Sequence, residues 1–194
     1  LDYLKNLGVT MLWMTPVLEN AMPEMSYHGY AITDHYKIDP HFGVNADYRS
    51  LTQKAQQLGI GVIADMVPNH IGSHHFWMKD LPAHDWLSNN DPKFTTNHAH
   101  SAIEDPHSAE IDRERYINGW FVDSMPDLNT RRPELARYLI QNAIYWIEYA
   151  GLSGLRIDTY SYSDKYFMSH YTQSILNEYP NLNIVGEEWR TQPS

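Results

Sequence analysis

Four hydrophobic runs recur along the chain, each ending in polar residues. They cover residues 9–16, 61–70, 154–159 and 183–189, and each is short enough to be a strand rather than a helix. Strands buried on both faces read as near-continuous apolar runs, which is the signature of a parallel sheet. Between them lie segments of helical period. Tyr48, Leu51, Ala55 and Leu58 recur at spacings of three and four, with Asn45 as the expected cap and Gly59 as the stop. Leu135, Leu139, Ala143 and Ile147 line one face of a helix that Pro133 opens and Gly151 ends. Leu1, Leu4 and Leu7 before Gly8 suit the last turns of another helix, and residues 164–179 form a weaker one closed by Pro180. Helix and strand therefore alternate through four units. That order predicts an α/β fold with right-handed crossovers and a parallel sheet.

The polar ends of the runs carry the chemistry. In Gly154-Leu155-Arg156-Ile157-Asp158-Thr159 a guanidinium and a carboxylate interrupt an otherwise apolar strand. A period of two puts Arg156 and Asp158 on one face, where the cation holds the carboxylate ionised. Alone, this pair reads equally as a structural ion pair at a strand end. The pattern repeats, however: the second run ends in Asp65, Asn69 and His70, the fourth in Glu187 and Glu188, and the first leads to Tyr27-His28-Gly29-Tyr30. Polar residues gathered at the carboxyl ends of successive parallel strands mark an active face.

About sixty residues separate the second strand from the helix at Pro133, too many for a plain connection. Residues 71–130 are expected to form a small inserted subdomain, with residues 1–70 and 131–194 as the two parts of the main domain. Its Trp77, Trp86, Trp120 and Phe121 read equally as ligand-stacking platforms or as local core, whereas Trp13, Tyr145 and Trp146 fall in strand or helix periodicity and read as core. The seven histidines from His70 to His107 match no zinc spacing, and the chain has no cysteine to join them.

Charge narrows the partners. The formal net charge is −10, from 24 acidic against 14 basic residues, which argues against nucleic acid or an anionic membrane surface. No apolar stretch approaches a membrane span. No signal peptide is present, and since the sequence starts within a helix, any targeting segment is expected upstream, leaving a periplasmic, secreted or cytoplasmic location equally open.

Taken in order, the run 9–16, Tyr27-His28-Gly29-Tyr30, Asp65-Met66-Val67-Pro68-Asn69-His70, Met125-Pro126-Asp127-Leu128-Asn129, Gly154 to Asp158 and Gly186-Glu187-Glu188-Trp189 resemble the α-amylase family of glycoside hydrolases, family 13, and within it the neopullulanase, cyclomaltodextrinase and maltogenic amylase branch. The resemblance implies a (β/α)8 TIM barrel of which this chain supplies about strands two to five, with residues 71–130 as the family's domain B. Since such a barrel takes about 250 residues, the 194-residue chain by itself is expected to be inactive, and the third carboxylate of the family is expected beyond Ser194.

The resemblance also implies a retaining mechanism on α-1,4 or α-1,6 glucosidic bonds of starch-derived oligosaccharides, cyclodextrin or pullulan. Asp158 would be the nucleophile, Glu187 the acid/base with a raised pKa, and Arg156 the residue that orients Asp158. His28, Tyr30, His70 and Asp65 would line the subsite of the glucose being cleaved, with the Tyr30 ring stacking on sugar. Glu188 would face away and pair with Arg190 or another cation, and Gly186 would admit substrate to the strand end. No cofactor is required, although the family admits calcium at the Asn69 position. The expected partner is an α-glucan or maltooligosaccharide, and the full-length protein has scope to form an oligomer. Transglycosylation, isomerisation and a non-hydrolytic carbohydrate-binding role share these motifs. Ser161-Tyr162 stands where many amylases have Lys-His, so the acceptor side is not fixed by the resemblance.

Overall fold

A computed structural model describes residues 1–24 and 26–189, and in it the hydrophobic runs form one parallel sheet. In chain order the elements are α1 (Asp2–Asn6), β1 (Met11–Trp13), β2 (Leu18–Glu19), β3 (Asp34–Ile38), α2 (Asn45–Gln57), β4 (Gly61–Met66), α3 (Ser101–Glu104), α4 (Glu110–Asn118), α5 (Pro133–Ala150), β5 (Gly154–Ile157), α6 (Lys165–Glu178) and β6 (Asn183–Gly186). Short 3-10 turns lie at Phe76–Met78 and Tyr160–Tyr162. The main sheet has the order β1-β4-β5-β6, all parallel, so each helical connection returns the chain to the next strand along.

Alternation along the strands separates two faces. Val62, Ala64, Met66, Leu155 and Ile157 point toward the helices and are buried with Leu135, Leu139, Ala143 and Ile147 of α5. Each of the larger aliphatic side chains there contributes about 1.5–3 kcal/mol on burial. The opposite face carries Met11, Trp13 and Val185, all exposed, and rises to the charged strand ends. Helix α5 begins at Pro133, as the sequence predicts, and stops where Gly151 enters the left-handed region at φ 66°. Helix α6 is capped by the Asp164 carboxylate, which accepts from the Tyr166 and Phe167 amides.

Two features differ from the sequence expectation. Asn45 is the first residue of α2 rather than its cap: its side chain accepts from the Ile38 amide and donates to the Tyr36 carbonyl, while Asp47 accepts from the Val44 amide. An antiparallel pair, β2 with β3, also occupies the stretch between β1 and α2. Its second strand is too polar to read as one, and His35 within it is buried, its carbonyl accepting from Asn142 of α5 and from the Trp146 indole.

Residues 71–130 are ordered through short helices and isolated bridges, among them His70 with Asp127 and Thr95 with Trp120. Trp77 and Trp86 pack into the main core, Trp120 is buried, and Ala102, Tyr116 and Tyr162 make a second small core. Among the described residues no helix is long and apolar enough to cross a membrane.

The loop after β1 depends on Gly29. It sits at φ +85°, and a Cβ there would lie 2.3 Å from the Pro16 carbonyl oxygen, backbone against backbone. Gly29→Ala is therefore expected to destabilise by more than about 1 kcal/mol and to displace the neighbouring Tyr30. Chemical denaturation of the full-length protein measures this, and an unchanged midpoint would contradict it.

Candidate active site

Strand register assembles the site. Asp65 of β4 stands opposite Arg156 of β5, and Arg156 opposite Val185 of β6, so all three side chains share one face. Two residues further along, Asp158 and Glu187 project from the same face. The Glu187 amide donates to the Ile157 carbonyl at 2.8 Å, extending the pairing just to that point.

Arg156 holds the carboxylates together. Its Nη1 donates to Asp65 Oδ1 at 2.8 Å and to Asp158 Oδ1 at 2.7 Å, and its Nη2 lies 2.9 Å from Glu187 Oε1. The guanidinium sits over the rings of Trp13 and Tyr30, at 5.5 and 5.7 Å from their centroids. The second oxygen of Asp65 accepts from the Trp13 indole and the Tyr30 hydroxyl, both at 3.1 Å. Glu187 accepts from the Thr159 amide at 2.8 Å through Oε2 and from the Trp189 indole at 2.8 Å through Oε1. The Thr159 hydroxyl donates to Asp158 Oδ2 at 3.2 Å.

Environment separates the carboxyl groups, in the sense opposite to the sequence expectation. Burial pushes Asp158 up to about 7, with Arg156 pulling the other way and Glu187 and Asp65 adding to the rise. Burial also raises Glu187, but the Thr159 amide, the Trp189 indole and Arg156 outweigh it and leave Glu187 below its ordinary range. Asp65 is raised, by burial first, against Arg156. The expectation of an ionised Asp158 and a protonated Glu187 is thus reversed, because Glu187 is less buried and collects more donors.

Around this centre, His28 Nδ1 accepts from the Tyr30 amide at 3.0 Å, and the His28 ring stacks against that of Tyr30. The Tyr30 ring, expected to be a sugar platform, is in contact with His28 and Arg156, and its hydroxyl fixes Asp65. His70 is buried, stacks on Phe121 and is held neutral by burial, pushed down to about 4.

The same chain can now be set beside known proteins. The family described as alpha amylase, catalytic domain, matches residues 1–193. The chain belongs to the alpha-amylase family. An intracellular maltogenic amylase of Bacillus subtilis is 33% identical over 191 residues, covering 98% of this chain and 30% of that protein. A cyclomaltodextrinase of Geobacillus thermopakistaniensis is 35% identical over 189 residues, 97% of this chain and 30% of that protein. The acarbose complex of an alpha-amylase from Geobacillus thermoleovorans superposes with a TM-score of 0.82 at 33% identity, covering 99% of this chain and 39% of that one. The chain thus spans about a third of the length of these relatives, and its four parallel strands with their helices are part of an alpha-amylase TIM barrel.

Within this alpha-amylase fold, several expectations need correction. Trp13 lies on the inward face of β1, where its indole donates to Asp65 and its ring lies under Arg156. It lies on the odd-numbered face of β1 that also presents Met11, so counting by twos along β1 would have placed it there. Gly186 makes room for the Tyr160 ring rather than for substrate, since a Cβ would meet that ring at 2.6 Å. Glu188 does turn away from Asp158, to His100 of the inserted segment at 3.6 Å; Arg190 lies outside the described residues. Thr159 was missed altogether. Its left-handed backbone, φ 47° and ψ 44°, is unusual for a β-branched residue and costs about 1–3 kcal/mol.

Calcium does not fit the surroundings of Asn69. A calcium ion takes six to eight oxygens, yet the Asn69 amide oxygen already accepts from the Ser163 hydroxyl at 2.9 Å and its amide nitrogen lies 3.4 Å from His70 Nδ1. The adjacent Asp127 is fully enclosed and driven by burial toward its neutral form, well above the usual carboxylate range. Among the described residues no group of three His, Cys, Asp or Glu side chains is placed to hold a metal. Asn69 is a hydrogen-bonding hub between β4, the loop at Ser163 and the Asp127 segment.

If Arg156 is what allows three carboxylates to sit together in a buried place, Arg156→Met should destabilise the full-length protein by about 3–5 kcal/mol. Denaturant unfolding at pH 7 reads this directly. A loss below about 1 kcal/mol would mean that the carboxylates do not depend on it.

Proposed function

We propose that the full-length protein is a retaining glycoside hydrolase acting on α-1,4, and secondarily α-1,6, glucosidic bonds of starch-derived oligosaccharides, cyclodextrin or pullulan. The observation that carries this reading is the pairing of Asp158 and Glu187 on one guanidinium at the ends of adjacent parallel strands. A retaining glycosidase needs two carboxyl groups about 5–5.5 Å apart, one to attack and one to protonate. Two strand ends joined through a single Arg side chain suit that span. The names of the relatives point the same way: they are a maltogenic amylase and a cyclomaltodextrinase.

The steps follow from the two groups. The Asp158 carboxylate attacks the anomeric carbon while the glycosidic bond breaks, and the bond's electron pair leaves with the departing oxygen, which takes the proton of Glu187. Water then attacks the anomeric carbon, gives its proton to Glu187 and releases Asp158. His28, Tyr30, His70 and Asp65 line the cleaved sugar's subsite. Arg156 steadies Asp158 as charge leaves it. Residues 71–130 are assigned as the inserted domain B, which faces the strand ends through His100 and Phe121.

On this reading the free enzyme holds the shared proton mainly on Asp158, and the productive form carries it on Glu187. The pair carries one proton between the lowered pKa of Glu187 and about 7. Above about 7 both groups are ionised and no proton remains for the leaving group; below the window both are protonated and the nucleophile is neutral. A bell with its alkaline limb near pH 7 is the expected kcat/KM profile on maltooligosaccharides. A flat profile from pH 6 to 9 would contradict it.

Substitution separates the roles. Asp158→Asn in the full-length enzyme should lose at least about a thousandfold in rate while still binding substrate, and a mechanism-based glycosyl fluoride should label Asp158 in the parent. Glu187→Gln should abolish cleavage of poor leaving groups but largely spare glycosylation by an activated fluoride, which needs no proton. Glu188→Gln should change much less. If the two glutamate variants exchange these behaviours, the role of Glu187 is wrong.

A further inference from the structure

One residue touches both carboxyl groups of the proposed pair without being a carboxylate or a cation. Thr159 follows Asp158 directly and is buried. Its amide donates to Glu187 Oε2 at 2.8 Å and its hydroxyl donates to Asp158 Oδ2 at 3.2 Å. The Asp158 amide donates to Met66 of β4, so alternation turns the Thr159 amide to the β6 side, and the left-handed backbone at φ 47° goes with a hydroxyl held beside the preceding carboxylate. A β-branched residue adopts this conformation only where its surroundings over-determine it, and such strain gathers at functional sites.

We propose that Thr159 is a positioning residue that clamps the two carboxyl groups, its amide on Glu187 and its hydroxyl on Asp158, and so sets which of them carries the proton when substrate arrives. This rests on the assignment of Asp158 and Glu187 made above. The hydroxyl is the separable half of the clamp, because the amide belongs to any residue at this position. A donor on Asp158 favours its ionised form. The other groups facing Asp158 are Arg156 on its own strand, Asp65 from β4, Glu187 from β6, Tyr30 from the loop after β1 and Tyr162 from the 3-10 turn. Of these, Arg156 also donates a hydrogen bond to Asp158. Removing the Thr159 hydroxyl should keep the shared proton on Asp158 and make the productive form, with the proton on Glu187, scarcer.

The test uses the full-length enzyme with Thr159→Val, which matches Thr in shape but lacks the hydroxyl, and Thr159→Ser, which restores it. For Val, kcat on maltooligosaccharides should fall about tenfold, as expected for a lost hydrogen bond to a charged group, with KM within about twofold. The alkaline limb of the pH profile should move upward. For Ser, both should return to within about threefold of the parent. A Val variant with parental kcat, or with reduced kcat and an unmoved limb, would overturn the proposal, the latter pointing to packing alone. If Val fails to fold, Thr159→Ala carries the same comparison. Glycosyl fluoride labelling of the parent keeps the two readings apart: label on Asp158 upholds the nucleophile whatever Thr159 does, and label elsewhere sinks that assignment rather than the clamp.

Discussion

A single guanidinium that satisfies three carboxylates is the interaction on which the rest of the site depends. Arg156 reaches Asp65 and Asp158 through one nitrogen and Glu187 through the other. Three acidic groups so close would otherwise repel one another and pay heavily for leaving water. Lysine could not take its place on these terms, because a point charge lacks the planar fork that binds several oxygens in fixed directions. The aromatic rings of Trp13 and Tyr30 wall the cation and also donate to Asp65, so that carboxylate is anchored on both oxygens. Asp65 thereby serves as a fixed brace, leaving Asp158 and Glu187 as the groups with freedom to exchange partners.

The barrel supplies that geometry through register. Adjacent parallel strands place Asp65, Arg156 and Val185 in one row and lift Asp158 and Glu187 to the next, with no side chain needing an unusual reach. The helices do their part from behind. The apolar face of α5 buries the outward side of β4 and β5, which leaves the inward side free to carry charge. Residues 71–130 then close over the strand ends, His100 meeting Glu188 and Phe121 stacking on His70. The aromatic group of Tyr116, Tyr162 and Phe121 fills the ground between that segment and the loop after β5.

Much of this was legible in the sequence, for reasons particular to each element. The strand ends were visible because a charge in an apolar run is costly; the two-residue period lets only one of Glu187 and Glu188 face Asp158, and the resemblance pointed to Glu187. Helix α5 was readable from Pro133 to Gly151 because propensity, periodicity and caps agree there. What escaped depended on contacts distant in sequence. The β2 and β3 pair carries polar residues that become acceptable only through bonds from α5. The bond from the Trp13 indole to Asp65 crosses from β1 to β4, and no local mark announces it. The proton balance escaped because it turns on how many donors each carboxylate collects, and the Thr159 amide and Trp189 indole favour Glu187. Nor does a threonine announce a left-handed backbone.

The contact between Gly186 and the Tyr160 ring has a bearing on how this site can change. With a Cβ at residue 186 only 2.6 Å from that ring, the strand bearing Glu187 and the turn after Asp158 are mutually shaped, and neither can be redrawn alone. Randomising the turn at Tyr160–Tyr162 would also move the seat of Glu187. The inserted segment joins the same unit, since His98 and Tyr116 reach the turn from the far side through their hydrogen bonds to Tyr162 and Ser161. A change on either side of the turn is therefore carried to β6, and three separate stretches of sequence must vary in concert if any one of them does.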